Sequence, residues 1–134
     1  MADACAESPV RLLSTVAHQW HCDHLGHLNV RNYAAIFDDA IFVFWNRFGV
    51  GRDDRIVPVT AELKISFQRE AAAGMVADVR YRVTRIGSKS VGMTFEMTDA
   101  SGGETLASCE VIEVFFSSES RTRARPEIDE SIVM

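Results

Sequence analysis

Asn29-Val30-Arg31-Asn32-Tyr33-Ala34-Ala35-Ile36-Phe37-Asp38-Asp39-Ala40-Ile41-Phe42-Val43-Phe44-Trp45-Asn46-Arg47-Phe48-Gly49 is the stretch whose reading decides the fold. Tyr33, Ile36, Phe37, Ala40, Ile41, Phe44 and Phe48 recur at helical spacing and so share one face. Asn29 is suited to cap this helix, because its side-chain oxygen can accept from a free first-turn amide. Gly49 stands where a helix of this length would stop. Phe42, Val43 and Trp45 add apolar surface on other faces. A helix that is apolar nearly all round is buried on several sides, so the stretch predicts a long central helix wrapped by a sheet.

Downstream the period becomes two. Val59, Ala61, Leu63, Ile65 and Phe67 alternate with Thr60, Glu62, Lys64, Ser66 and Gln68, which predicts a long half-buried strand. Val79, Tyr81 and Val83 then alternate with Arg80, Arg82 and Thr84. Val91, Met93, Phe95 and Met97 alternate with small and polar residues. Leu106 to Phe116 is a last strand whose phase slips near Val111–Ile112, read as a bulge. Upstream, Val10 to Trp20 is a shorter strand. Four successive strands with turns between them point to an antiparallel meander, and the whole is an α+β layout. One helix cannot cover such a sheet alone, so association between copies, as a homodimer or homotetramer, is expected.

A chain of 134 residues fits a single domain spanning 1–134, with 1–9 and 118–134 as loose tails. Hydrophobic content of 47% and charged content of 25% are ordinary for a soluble globular protein. A net charge of −5 argues against nucleic acid or an anionic membrane as the main partner. Cys5, Cys22 and Cys109 make an odd set with no short-range pair, as expected of reduced thiols in a cytoplasmic protein. No basic and apolar leader opens the chain. The run Ala40 to Trp45 is too short to span a bilayer.

The chemistry-bearing residues cluster just before the helix, in Trp20-His21-Cys22-Asp23-His24-Leu25-Gly26-His27-Leu28-Asn29-Val30. A helix N-terminus offers unpaired N–H groups and a positive dipole end, a ready site for an oxyanion. Asp23, six residues before the cap, can reach the same pocket as nucleophile or general base. His27 and Asn29 are candidates to position a water or a carbonyl, or to hold the loop. His18, His21, His24 and His27 have a spacing that would form a metal face on a helix. Trp20 and Gly26 interrupt such a helix and no histidine follows, so neither metal nor cofactor is assigned.

This segment resembles the 4-hydroxybenzoyl-CoA thioesterase-like family, whose members carry an Asp, then Gly-His-hydrophobic-Asn, then a long buried helix with an early aromatic. Asp23, Gly26, His27, Asn29 and Tyr33 match that pattern, and the order of elements matches from about Leu12 to Phe116. His21 departs from it, standing where many members have a second acidic residue. The resemblance implies a hotdog fold, an antiparallel sheet wrapped around one long helix, and hydrolysis of an acyl-CoA thioester to acid and CoA. It implies a catalytic role for Asp23 and an oxyanion amide near Val30. It also places the turn Arg85-Ile86-Gly87-Ser88-Lys89-Ser90 near the nucleotide end of CoA, where Arg85 and Lys89 would pair with phosphate and Ser88 or Ser90 would hydrogen-bond it. Thr60 and Glu62, on the polar side of the long strand, are expected to face the acyl pocket. The alternatives are an acyl-binding hotdog protein without catalysis, or a dehydratase of the same fold using His27.

Overall fold

The helix forms where its spacing places it. In the computed structural model, which describes residues 9–50, 55–117 and 122–123, helix α1 runs Val30–Arg47. Asn29 caps it, its Oδ1 accepting from the Asn32 N–H at 3.2 Å. The C-terminal end turns through Gly49 at φ +70, the left-handed conformation that glycine adopts without a Cβ penalty. Tyr33, Phe37, Ala40, Ile41, Phe44 and Trp45 are buried. Phe42 is 69% exposed, so the sheet of one chain covers a single broad face of α1 rather than wrapping it.

The strands are β1 (Val10–Val16), β2 (Ile56–Phe67), β3 (Val76–Ile86), β4 (Ser90–Asp99), β5 (Thr105–Ser117) and the short β6 (Thr122–Arg123). The upstream strand ends at Val16, and Gln19–His21 form a turn of 3₁₀-helix instead. All pairings are antiparallel, in the order β1-β3-β4-β5-β2, with β6 on β5. This is the hotdog architecture. The expected tails lie outside the described residues, apart from Pro9 and the residues of β6.

Only β3, β4 and β5 form a meander. β2 pairs with β5 and not with β3, because the connection Gln68–Met75 crosses from the β2 edge of the sheet to β3, next to β1 at the opposite edge. It is tied down along its whole course. The Gln68 and Arg69 amides donate to the Leu106 carbonyl, Ala73 to Gly26, and Gly74 to Ala17. The Tyr33 hydroxyl accepts from the Ala71 amide at 3.1 Å. β2 is therefore an edge strand that α1 covers only in part, as where the Tyr33 ring meets that of Phe67 at 5.0 Å. Val59, Leu63 and Phe67, predicted to be buried, are 45%, 38% and 50% exposed. Alternation reports two-faced chemistry and does not say whether a neighbour covers the apolar face.

The bulge predicted in the last strand lies in β2. The inward positions of β5 run Ala107, Cys109, Val111, Glu113, Phe115 without interruption, all buried. The partners of β2 skip at Ala61: Thr60 faces Glu113 and Glu62 faces Ile112. The apparent slip in the sequence is a carboxylate at a core position. Glu113 is 1% exposed. Its Oε1 accepts from the Trp45 indole Nε1–H at 2.9 Å and its Oε2 is hydrogen-bonded by the Thr60 hydroxyl. Burial raises its pKa above the ordinary carboxylate value against the lowering pull of these two bonds, and the Asp38 carboxylate raises it further.

Candidate active site

The loop before α1 is closed on itself by its own backbone. Cys22 and Leu28 make an isolated antiparallel bridge. Inside it the Asp23 amide donates to the His27 carbonyl at 2.8 Å and the Gly26 amide to the Asp23 carbonyl at 3.0 Å. Gly26 takes φ +80 to complete the turn, a region open to glycine and costly for most side chains. The base of the loop is pinned to the helix: the His21 carbonyl accepts from the Asn29 amide at 3.1 Å and from Asn32 Nδ2 at 2.9 Å.

Asp23 presents its carboxylate from this loop to solvent. Oδ1 accepts from the Leu25 amide at 2.8 Å and the His27 amide at 3.2 Å, while Oδ2 takes no hydrogen bond from the described residues. The His27 and Leu25 amides, aided by the charges of His24 and His27, hold the carboxyl below its ordinary pKa. A carboxylate so held is ionised at neutral pH, and is a weaker base than an ordinary one. The amides of Val30 and Arg31, at the positive end of α1, have no acceptor among the described residues. Asp23, His27, Asn29 and Val30 thus sit on one short stretch around an ionised carboxylate and two open donors.

The histidines do not line up as a metal face. The His18 ring stacks on Trp20 at 4.4 Å and lies 5.6 Å from that of His21. The His27 Nδ1 lies 3.2 Å from Glu70 Oε2. Among the described residues no group of three or more His, Cys, Asp and Glu side chains is arranged to hold a metal. Cys22 and Cys109 are free thiols, and burial pushes the pKa of Cys109 up to about 12.

The bulge separates the two residues expected to share the acyl pocket. Thr60 points to the helix side, against Glu113. Glu62 points to the opposite face, into an open groove of about 360 Å³ with Arg85, Ser90, Gly92, Thr94 and Glu110. Ser88 and Lys89 are exposed at the tip of the β3–β4 turn. That turn and the Asp23 loop stand at opposite ends of β3, about 30 Å apart at roughly 3.3 Å per residue. One chain therefore keeps the Asp23 loop apart from the turn that carries Arg85, Ser88, Lys89 and Ser90. The sequence reading missed Glu70 and Glu113. Glu70 carries no distinguishing pattern, whereas the carboxylate breaking an apolar strand was a visible signal for Glu113.

No curated protein matches the chain, but solved structures do. A Staphylococcus aureus protein in complex with CoA superposes with a TM-score of 0.84 at 19% identity, over 95% of this chain and 84% of that one. A 1,4-dihydroxy-2-naphthoyl-CoA thioesterase from Synechocystis gives 0.78 at 13% identity, over 90% and 93%. A DHNA-CoA thioesterase from Staphylococcus aureus gives 0.74 at 14% identity, over 84% and 78%. At these identities the likeness is one of fold. The family model of the Thioesterase-like superfamily matches residues 16–133, and with the hotdog architecture in place the chain belongs to that superfamily.

Proposed function

We propose that the protein hydrolyses an acyl-CoA thioester to the free acid and CoA, with Asp23 acting on the carbonyl or its attacking water and the start of α1 receiving the oxyanion. The observation that carries this reading is the closed loop Asp23–His27, which holds an ionised carboxylate on the segment leading into α1, whose first amides, Val30 and Arg31, have no acceptor among the described residues. Electrostatic donors aimed at a developing negative oxygen contribute about 3–4 kcal/mol in enzymes of acyl transfer. The likeness to a protein solved with CoA supports a CoA ligand. A panel of acyl-CoA thioesters assayed for free thiol tests the reading; CoA binding without thiol release from any member would leave a binding protein in its place.

The working unit in this proposal is a homodimer built on β2. Among the described residues its outer edge takes no strand, and Leu63 and Phe67 on one face and Val59 on the other are exposed, an apolar edge of the kind proteins cover. A two-fold pairing of β2 with its copy runs antiparallel, so the start of one β2 meets the end of the other. The start of β2 lies by the β3–β4 turn, since Val59 and Ser90 both pair with Val114. The end of β2 leads into the crossing segment that holds the Asp23 loop. Pairing in this way brings the Arg85, Ser88, Lys89 and Ser90 of one copy toward the Asp23 of the other. Light scattering is expected to report a dimer or a tetramer of such dimers, and Leu63→Glu with Phe67→Glu is expected to shift it to monomer. A wild-type monomer at micromolar concentration would overturn this arrangement.

Lys89→Ala is expected to raise KM for acyl-CoA a few-fold, about what an exposed ion pair is worth, with kcat nearly unchanged. A contact to the remote phosphates is equal in the ground and transition states, so its loss appears in KM alone. An unchanged KM returns Lys89 to a solvated turn.

A further inference from the structure

Hydrolysis of a thioester moves a proton as well as a carbonyl. Water must lose one as its oxygen bonds to carbon, and the sulfur must gain one as the C–S bond breaks. Asp23, stabilised in its ionised form by two backbone amides, is a poor store for that proton. Resting on the hydrolase reading, we propose that Glu70 is a positioning residue that fixes the proton of the His27 imidazole on Nδ1, leaving Nε2 to take the proton of the attacking water.

The geometry that supports this is the 3.2 Å separation of His27 Nδ1 and Glu70 Oε2, together with the backbone that holds both residues. His27 and Ala72 form an isolated antiparallel bridge. On either side of it the Leu28 amide donates to the Ala71 carbonyl at 2.8 Å and the Ala73 amide to the Gly26 carbonyl at 3.0 Å. The Tyr33 hydroxyl, on the buried face of α1, accepts from the Ala71 amide next to Glu70. Glu70 is therefore carried by a segment clamped to the strip that carries His27, and the pair does not depend on its own attraction. That attraction is small, because the two side chains are 73% and 33% exposed. The effect of Glu70 is instead on the tautomer: which imidazole nitrogen carries the proton is set by the acceptor at the other. A carboxylate at Nδ1 selects Nδ1–H, whereas an imidazole with no such partner favours Nε2–H.

The step balances without any further reactant. The water oxygen bonds to the carbonyl carbon, one water proton passes to His27 Nε2, and the carbonyl π pair moves onto oxygen beside the Val30 and Arg31 amides. The other water hydrogen can bond to the free Asp23 Oδ2. On collapse the C–S bond breaks, the sulfur leaves with its electron pair, and His27 returns the proton to it. Asp23 and His27 then have separate tasks, the first orienting the water and the second carrying the proton.

The test combines a spectroscopic and a kinetic readout. Imidazole ¹⁵N spectra of the labelled full chain are expected to show neutral His27 protonated at Nδ1 in wild type and at Nε2 in Glu70→Ala. In thiol-release assays Glu70→Ala is expected to lower kcat about tenfold with little change in KM, a part of the 10²–10⁴ that general-base assistance supplies. In a His27→Gln background the same substitution is expected to change nothing, since its effect passes through the imidazole. Wild-type His27 protonated at Nε2, or an equal loss of kcat in both backgrounds, overturns the proposal. A wild-type chain that releases no thiol overturns the hydrolase reading and the proton transfer with it, while the spectra still decide whether Glu70 sets the tautomer.

Discussion

Asp23→Asn is expected to fold, to bind acyl-CoA, and to lose about 10²–10⁴ of kcat, whether the carboxylate orients the attacking water or takes its proton. The structure makes the comparison clean. Both bonds that close the loop, from the Leu25 and His27 amides, end on Oδ1, and the amide oxygen of asparagine can accept both. Only Oδ2, which takes no bond from the described residues, becomes an NH₂. The loop and the cap of α1 are then kept while the charge and lone pairs offered to the reaction are lost. Circular dichroism, calorimetric titration with a CoA ligand and thiol-release kinetics measure the three outcomes separately. Turnover within about threefold of wild type, well under the loss of a transition-state contact, would reduce Asp23 to a loop-closing residue.

The other large effect is expected on stability, at Glu113. Replacement by alanine strands the Trp45 indole N–H in the core, a cost of about 1–3 kcal/mol for an unsatisfied buried donor, to which the cavity adds. Replacement by glutamine keeps an acceptor for Trp45 and offers a donor to Thr60. The pH dependence separates the two causes. The pKa of Glu113 is raised in the folded chain above the 4.5 of the free group, so the folded state holds this proton more tightly than the unfolded state. Its cost is absent below the unfolded value and grows as pH rises from there toward the folded value. Glu113→Gln is therefore expected to gain stability relative to wild type as pH rises above about 4.5, with no such gain below it. Urea midpoints at pH 4 and pH 7.5 measure both variants. An alanine variant as stable as the glutamine variant at both pH values would show that the Trp45–Glu113 bond contributes nothing.

The parts of this fold that were legible are those where chemistry repeats at the period of the backbone. Tyr33, Phe37, Ala40, Ile41 and Phe44 mark the buried face of α1, and Asn29 and Gly49 mark its ends. The inward rows of β3 and β4 follow the alternation residue for residue. Pairing order was not legible. The strand that follows the helix pairs with the last long strand because Gln68–Met75 runs across the sheet, and the anchors of that crossing are mostly backbone amides and carbonyls with no side-chain signature. The burial of β2 was misread for a related reason, since the described residues cover Leu63 and Phe67 only in part and the offset at Ala61 turns Val59 to the other face. At the site, Asp23, His27, Asn29 and Val30 were legible because they are close in sequence. Glu70 reaches His27 across more than forty residues of chain, and no local pattern points to it.

The single-residue offset at Ala61 gives β2 two reading frames for its side chains. From Glu62 onward the odd-numbered residues face the helix side; before the offset the even-numbered ones do, Thr60 and Pro58 among them. Straightening the offset at unchanged length, so that Ala61 came opposite Glu113, would merge the frames into the unbroken alternation that the sequence spells, and would turn one half of the strand over. Held by the pairing from Glu62 to Phe67, the other half would bring Val59 toward the core and carry Thr60 out to the opposite face, leaving Glu113 with the Trp45 indole alone. Loss of Ala61 itself would leave Thr60 opposite Glu113 and Glu62 opposite Ile112 as consecutive pairs, so the extra residue sets the bend of the strand and its register survives without it.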